Sequence, residues 1–322
     1  MNEFELIARY FTRPARGPSV RLAVGDDAAL LAPTPSCELA VSVDMLVGGR
    51  HFFADTDPER LGHKTLAVNL SDMAAMGATP KWALLAGALP DNDAVWLAAF
   101  ARGFHALADA HAVDLVGGDT TRGPLALCVT IMGEVPAGRA LLRSGARAGD
   151  DIYVSGTLGD AALAVAAMSG RTALAPAALA AVRAKLELPE PRIALGQALL
   201  GVASAALDVS DGLVGDLAHI LLRSAVGATV ELPAVPRSPV LARLMEGAER
   251  ALAIECLLAG GDDYELCFTA PRAAAASIAA IAARTAVPLT RIGAVTEGSG
   301  LVVRDERGVP LALLPRAYDH FG

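Results

Sequence analysis

Apolar β-type runs that break into glycine or serine around an aspartate recur along this chain, and they constrain its fold more than any other feature. Five such breaks occur, at Gly25-Asp26-Asp27, Ser42-Val43-Asp44, Gly117-Gly118-Asp119, Asp208-Val209-Ser210-Asp211 and Gly260-Gly261-Asp262-Asp263. A strand that ends in an acid beside small residues places a carboxylate where backbone or a ligand can come close. A single Gly-Asp pair is also typical of an Asx-turn, so the recurrence, and not any one break, predicts a shared site.

The order of the predicted elements favours an α+β protein with two domains. At 322 residues the chain is longer than one hydrophobic core usually supports. Predicted strands and helices alternate regularly in neither half, which argues against one alternating parallel sheet. A proline followed by two small residues at 136–138 separates the halves. We therefore expect an N-terminal domain over residues 1–136 and a C-terminal domain over residues 137–322.

The composition excludes several classes of partner and location. A net charge of −8 and a pI of about 5.3 argue against binding to nucleic acid or to an anionic membrane surface. The mean hydropathy is high, but no stretch approaches the roughly 18 uninterrupted apolar residues of a membrane-spanning helix. The N-terminal sequence MNEFELIARYF lacks the pattern of a signal peptide. The four cysteines are scattered without a C-x-x-C pair, so we expect reduced thiols in a cytoplasmic protein.

One acid lies inside an apolar segment. The sequence LAVNLSDMAAMGATP, residues 66–80, predicts a mostly buried helix that begins near Asn69 or Ser71 and ends at Gly77. Asp72 is then close to the N-terminal end of that helix. A buried carboxylate is costly unless a positive charge compensates it. Two interpretations are open: the positive end of the helix dipole stabilises Asp72, or a bound cation does.

The acids together predict a magnesium site that binds a polyphosphate. Mg²⁺ prefers oxygen ligands and is usually completed by substrate phosphates, and the acidic strand ends together with Asp72 supply such ligands. The chain contains no G-x-x-x-x-G-K-[ST] sequence, no protein-kinase motif set and no G-x-S-x-G elbow, which excludes those classes of enzyme. His51 follows Gly48-Gly49-Arg50, and it is either an anion-binding residue or a histidine of the core or of an exposed loop.

Eight segments of the chain resemble one enzyme family. They are GDDAALL, SVDMLVGGRHF, AVNLSDMAAMGATP, VGGDTTRGP, RSGARAGD, DVSDGLVGDLAHI, GGDDYELCF and YDHFG, and they follow the order found in the thiamine-monophosphate kinase family. That family is part of the aminoimidazole-ribonucleotide-synthetase-like ATP-binding superfamily. The resemblance implies ATP and thiamine monophosphate as substrates, several Mg²⁺ ions and a homodimer. It also implies an N-terminal mixed sheet that pairs across the dimer in a barrel-like arrangement, and a C-terminal α/β sandwich domain that completes the site.

The resemblance assigns roles to individual residues as well. Metal binding is assigned to Asp27, Ser42, Val43, Asp44, Asp72, Asp119, Asp208 and Asp211. Contacts to the nucleotide phosphates are assigned to Gly118, Asp119, Arg143 and Ser210, and contacts to the substrate to His51, Asp262 and Tyr318. The residues expected to act on the reacting phosphates are Asp44, Asp72, Asp119 and Arg143.

Two positions depart from the family pattern. Val43 stands where the family has threonine, so a ligand from this position must be a backbone atom. Asp262 replaces the glutamate of G-G-E-D-Y-E-L and is one methylene shorter, which puts its direct contact with the substrate in question.

The chemistry of the acceptor agrees with the absence of a conspicuous base. A phosphate monoester has a second pKa of about 6, so it is already nucleophilic near neutral pH. Positioning and charge neutralisation are then the main tasks of the protein. Two other interpretations are open. One is a sister ATP-dependent synthetase with a different acceptor, and the other is a non-catalytic nucleotide-binding protein.

Overall fold

The computed structural model of the chain describes residues 2–315, and these form two compact units. The first unit consists of residues 2–73 and 78–138, and the second of residues 74–77 and 139–315. The domain limits expected from the sequence, and the function assigned to each domain, stay predictions.

The first unit combines a sheet with two long helices. Its elements are α1 (Glu3–Leu6), a π-helical turn (Ile7–Phe11), β1 (Val20–Leu22), β2 (Leu30–Leu31), β3 (Cys37–Val47), α2 (Pro58–Ala75), β4 (Thr79–Leu89), α3 (Ala94–Ala110), β5 (Asp114–Arg122) and β6 (Ala126–Pro136). Four of the strands form a mixed sheet in the order β3-β6-β4-β5, in which only the β4–β5 pair is parallel. β1 and β2 form a separate antiparallel ribbon.

The start of α2 differs from the prediction. The helix begins at Pro58, well before the expected start near Asn69, so that expectation is wrong. Asp57 Oδ1 accepts hydrogen bonds from the amides of Glu59 at 3.0 Å and Arg60 at 3.1 Å, which is the contact of an N-cap. An amide N–H at the first helical position has no hydrogen-bond partner within the helix. Proline, which has no N–H, therefore loses no hydrogen bond there. The Asp-Pro pair was therefore the signal for the start of this helix.

Two glycines allow α2 and α3 to approach closely. A Cβ atom on Gly62 would lie 2.0 Å from the carbonyl oxygen of Phe100, and one on Gly103 would lie 1.7 Å from the carbonyl oxygen of Glu59. These distances are far below any real carbon–oxygen contact, so the backbones meet where side chains are absent. The crossing fixes the position of α2, the helix that carries Asp72.

The second unit is built around a larger sheet. Its elements, after residues 74–77, are β7 (Asp151–Ser155), α4 (Asp160–Met168), α5 (Pro176–Glu187), α6 (Ile193–Leu199), β8 (Ala205–Val209), α7 (Leu213–Ser224), β9 (Gly227–Glu231), α8 (Pro239–Glu246), α9 (Arg250–Ala259), β10 (Glu265–Ala270), α10 (Ala275–Thr285), β11 (Leu289–Thr296) and β12 (Gly300–Arg304), with 3₁₀ turns at Leu232–Ala234 and Arg272–Ala274. The strand order is β12-β9-β11-β7-β10-β8, and only β12 and β9 pair in parallel. Every residue of β7, β8 and β10 is buried.

The α+β class is confirmed by these two mixed sheets, each with helices. The barrel-like pairing of the first sheet across a dimer, and the sandwich form of the second unit, stay predictions. Within residues 2–315, no helix combines the length and the apolar character needed to cross a lipid bilayer.

Candidate active site

Alternating residues of β3 place two predicted metal ligands against α2. Ser42 Oγ donates a hydrogen bond to Asp72 Oδ2 at 2.5 Å, and the amide of Asp44 donates to Asn69 Oδ1 at 3.0 Å. Residues two apart in a strand share a face, so the Asp44 side chain lies on the same face of β3 as Ser42, whereas Val43 points to the opposite face. The structure therefore brings Asp44 and Asp72 to one region. The role of Asn69 was missed, although its spacing of three residues from Asp72 on a helix was visible.

Asp72 lies close to the C-terminal end of α2 and not to its N-terminal end. It is the fifteenth of the 18 residues of Pro58–Ala75, and Gly77, with a φ of +68°, follows the helix as predicted. The C-terminal end of a helix carries partial negative charge, so the helix dipole disfavours a carboxylate there. The dipole interpretation of Asp72 is therefore wrong, and its carboxylate needs positive charge or hydrogen-bond donors from elsewhere.

The loop after β3 holds His51 in a defined tautomer. His51 Nδ1 accepts a hydrogen bond from the amide of Val47 at 2.9 Å, so the proton of the neutral ring is on Nε2. Lys64, with only 1% of its surface exposed, donates from Nζ to the carbonyl oxygen of His51 at 3.1 Å. Sequence reasoning missed Lys64, although a lysine within a buried helix was the available signal.

A cavity of about 840 Å³ in the first unit brings together Asp27, Gly118 and Asp119. Phe11 and Trp96 are among the apolar side chains that line it. Small-molecule sites typically occupy roughly 300–1,000 Å³ and combine an apolar lining with a few polar groups. Three residues that the sequence linked to nucleotide and metal therefore lie around a space that fits a ligand.

The packing of β5 against β4 requires glycine next to this cavity. Gly118 has a φ of +152°, and a Cβ atom there would lie 1.8 Å from the carbonyl oxygen of Leu85. A side chain would push β5 away from β4, and Asp119 follows directly in the same strand. Gly118 thus sets the position of the adjacent acid.

Asp44 and Asp119 do not meet within one chain. They lie on β3 and β5, the two edge strands of the sheet, with β6 and β4 between them. Three strand spacings of about 4.8 Å separate these edges by roughly 14 Å. Asp119 is in register with Ala86, Ala86 with Cys128, and Cys128 with Met45. Asp119 therefore shares a sheet face with Met45, the neighbour of Asp44, and the two aspartates point to opposite faces.

No three His, Cys, Asp or Glu side chains among residues 2–315 are close enough to form a metal-binding group. The assignment of the metal ligands stays a prediction.

The loop that follows β8 is held by an acid that the sequence did not single out. The buried Asp208 lies near the end of β8, and the loop carries Ser210 and Asp211. The amides of Ser210 and Asp211 each donate to Asp216 Oδ2 at 3.0 Å. Burial raises the pKa of Asp216 to about 6, against the opposing effect of these amide donors. An acid in the first turns of a helix that follows Asp-Gly was the available signal for Asp216.

The loop before β10 lies against the loop after β8. The amide of Asp262 donates to the carbonyl oxygen of Ser210 at 2.8 Å, and the amide of Tyr264 donates to that of Val209 at 2.8 Å. Tyr264 Oη donates to Asp262 Oδ1 at 3.0 Å, and Asp262 and Tyr264 have φ values of +67° and +51°. The neighbouring Asp263 is partly exposed, and desolvation of its carboxyl group raises its pKa well above the usual range. The structure therefore places the predicted substrate residue Asp262 beside the predicted nucleotide residue Ser210.

Arg143 is exposed on a loop of the second unit. Ser224 Oγ anchors that loop by accepting hydrogen bonds from the amides of Gly145 at 3.1 Å and Ala146 at 3.2 Å. The Arg143 guanidinium is thus carried on a fixed backbone. The remaining predicted substrate residue, Tyr318, lies outside the described residues.

Protein-family models match both parts of the chain. Residues 25–135 match the N-terminal domain of AIR synthase related proteins, and residues 147–306 match their C-terminal domain.

Individual relatives are similar over nearly the full length. The thiamine-monophosphate kinase of Escherichia coli K12 is 47% identical over 323 residues, which cover 99% of this chain and 98% of that protein. The crystal structure of thiamine-monophosphate kinase from Stenotrophomonas maltophilia K279a is 47% identical, with a TM-score of 0.84 over 93% of this chain and 94% of that one. A structure of AaThiL complexed with AMPPCP and TMP is 31% identical, with a TM-score of 0.77 over 90% and 89% of the two chains. The chain therefore belongs to the thiamine-monophosphate kinase family.

Proposed function

We propose that the chain transfers the γ-phosphoryl group of ATP directly to thiamine monophosphate and releases thiamine diphosphate and ADP. The observation that carries this proposal is the 47% identity to the Escherichia coli thiamine-monophosphate kinase over 99% of the chain. The complex of AaThiL with AMPPCP and TMP supports the choice of both substrates. The reaction is the last step in the formation of thiamine diphosphate.

The donor set fits Mg²⁺. We assign metal binding to Asp27, Asp44, Asp72, Asp119, Asp208 and Asp211, with the Ser42 hydroxyl and the Val43 backbone beside them. These are hard oxygen donors, which suit Mg²⁺ and disfavour softer metals. The position of Asp72 near the C-terminal end of α2 is compatible with the assignment, because a cation bound there would offset the negative end of the helix dipole. When bound, Mg²⁺ neutralises charge on the phosphates and aligns them for in-line transfer.

The protein groups around the acceptor bind and orient it. The second pKa of thiamine monophosphate is about 6, so its phosphate is ionised near neutral pH and needs no base. His51 carries its proton on Nε2, which suits donation to an anionic oxygen and not proton removal. Arg143 supplies a planar cation for a phosphate of the nucleotide. The hydrogen bond from Tyr264 orients Asp262 toward the substrate, and Tyr318 is assigned a further contact.

The nucleotide would use the cavity of the first unit. Gly118 and Asp119 lie at its wall, beside apolar side chains such as Phe11 and Trp96. Ser210 is assigned to the nucleotide phosphates. The acidic residues and the phosphates of the substrates all carry negative charge. Bound cations are therefore needed to balance the charge of the occupied site.

The functional form would be a homodimer in which the first units pair. Four apolar residues alternate on the outer face of β3 and are 47% to 58% exposed: Leu39, Val41, Val43 and Met45. β3 is also an edge strand, so its unpaired backbone and its exposed apolar face both favour association with another chain. A twofold axis is the commonest arrangement, and it would bring β3 of one copy to the sheet of the other in a barrel-like assembly. In such a dimer, Asp44 of one copy would lie closer to Asp119 of the other copy than to Asp119 of its own chain.

Release of ADP that depends on thiamine monophosphate tests the reaction. The wild-type protein is assayed with ATP and Mg²⁺, with and without the acceptor, beside one variant within α2 and one at the residue that caps it. In Asp72→Asn the shape is retained and the charge is removed, so turnover should fall on the order of 100-fold. In Asp57→Asn the helix cap is retained, and turnover should stay within about twofold.

Two results would contradict the proposal in different ways. Absence of acceptor-dependent ADP release by the wild-type protein would reject the reaction. Near-normal turnover of Asp72→Asn at saturating Mg²⁺ would reject the metal assignment and leave the reaction standing.

A further inference from the structure

Asp216 is a buried carboxylate that the proposed reaction does not use. It lies in the first turns of α7 and is 6% exposed. Its Oδ2 atom accepts hydrogen bonds from the amides of Ser210 and Asp211 at 3.0 Å each. Two consecutive backbone donors thus converge on one carboxylate oxygen.

The pattern of donors exceeds what a helix cap requires. The N-cap of α7 is Gly212, and a capping side chain satisfies the amides at the start of its own helix. Asp216 reaches past that position to Ser210 and Asp211, whose amides precede the helix. These two contacts fix the loop and not the helix.

The same loop is held from its other side by the loop before β10. The carbonyl oxygen of Ser210 accepts the amide of Asp262 at 2.8 Å. A Cβ atom on Gly261 would lie 2.4 Å from that oxygen, so the two loops approach as closely as glycine allows. Gly212, with a φ of +109°, would place a Cβ atom 2.6 Å from the backbone of Ala259. The orientation of the Ser210 and Asp211 side chains is therefore set by backbone contacts on both sides.

We infer that Asp216 is a positioning residue for the nucleotide and its cation. It holds the backbone of Ser210 and Asp211 so that the hydroxyl and the carboxylate face the phosphates and Mg²⁺. This inference rests on the proposed function, because that function assigns the two residues to the nucleotide. A carboxylate suits the task, since one charged oxygen accepts several amides more strongly than a neutral acceptor.

Binding without turnover provides the test. The affinity for ADP with Mg²⁺ is measured by titration calorimetry in the wild-type protein, Asp216→Ala, Asp216→Asn and the control Asp305→Ala. The control removes a carboxylate that accepts backbone amides from Arg307 at 2.9 Å and Val309 at 2.8 Å, in a loop of the same unit. The KM for ATP, the KM for thiamine monophosphate, kcat, the half-saturating Mg²⁺ concentration and the melting temperature are recorded for each.

The expected order of affinity for ADP with Mg²⁺ is wild type, then Asp216→Asn, then Asp216→Ala. We expect Asp216→Ala to bind at least tenfold more weakly, with a higher half-saturating Mg²⁺ concentration and a KM for thiamine monophosphate within twofold of wild type. Asp216→Asn keeps one acceptor and should lose between twofold and fivefold. Asp305→Ala should bind as the wild type does, whatever its melting temperature.

A lower melting temperature in Asp216→Ala with unchanged affinity for ADP and Mg²⁺ would reduce Asp216 to a structural cap and overturn the inference. If Asp216→Ala does not fold, the decision falls to Asp216→Asn, in which wild-type affinity would overturn it. Failure of the proposed function is distinct, because it appears as absent acceptor-dependent ADP release in the wild-type protein.

Discussion

Replacement of Gly118 by alanine tests whether the close approach of β5 to β4 supports the site. The added Cβ atom would lie 1.8 Å from the carbonyl oxygen of Leu85, and ordinary contact begins about 1.5 Å farther out. β5 must move by a comparable distance, which breaks about two ladder hydrogen bonds at roughly 1 kcal/mol each. The left-handed backbone adds roughly 1–2 kcal/mol for a residue with a side chain.

The sum predicts that Gly118→Ala lowers the free energy of unfolding by about 3 to 4 kcal/mol. For a unit of this size the melting temperature should fall by about 10 °C. The displacement also moves Asp119, so kcat/KM for ATP at 20 °C should fall at least tenfold in protein that circular dichroism shows to be folded.

The matched control is Gly123→Ala at the end of the same strand pair. A Cβ atom on Gly123 would lie 3.5 Å from Ala88 Cβ, which is an ordinary contact. Its melting temperature and kcat/KM should match those of the wild type. Equal melting temperatures and equal kcat/KM values for Gly118→Ala and this control would refute the reasoning.

Three further predictions follow from other contacts. The acidic limb of kcat/KM against pH should track the second pKa of the acceptor phosphate, about 6, and should persist in His51→Gln; loss of that limb would make His51 a base. Tyr264→Phe removes the hydroxyl that orients Asp262, so the KM for thiamine monophosphate should rise severalfold while the affinity for ADP, measured by calorimetry, stays constant; a change in ADP affinity alone would contradict this role. Val43→Arg places charge on the exposed face of β3 and should convert a dimer into a monomer in sedimentation at micromolar concentration; a wild-type monomer with full activity would exclude the dimer as a requirement.

The sequence was sufficient for features that depend on short-range chemistry. The sequence predicted that Asp27, Gly118 and Asp119 belong to one metal and nucleotide site; the three residues line one cavity, and their binding roles stay predictions. The irregular mixture of helices and strands predicted the α+β class, and Gly77 marked the end of α2. In each case the signal lies within a few residues and reflects backbone conformation or strand ends.

Features that depend on contacts distant in sequence could not be predicted in this way. Apolar periodicity placed the start of α2 too late, because a charged residue such as Lys64 is not expected in a buried helix. Lys64 is buried because its Nζ donates a hydrogen bond to the carbonyl oxygen of His51, a contact that the sequence does not reveal. That error put Asp72 at the wrong end of the helix dipole. The roles of Asn69 and Asp216 depend on which backbone amides approach them, and only the folded chain decides this.

The alternating side chains of β3 also disfavour an incorrect register with β6 while the chain folds. Because strand side chains alternate, pairing with β6 one residue out of register would turn Ser42 and Asp44 outward and present Val43 to α2. Asp72 would then lose the Ser42 hydroxyl and face an apolar side chain at the negative end of its helix. Asp72, which is assigned to metal binding, therefore destabilises the misaligned pairing of β3 with β6 even before an ion is bound.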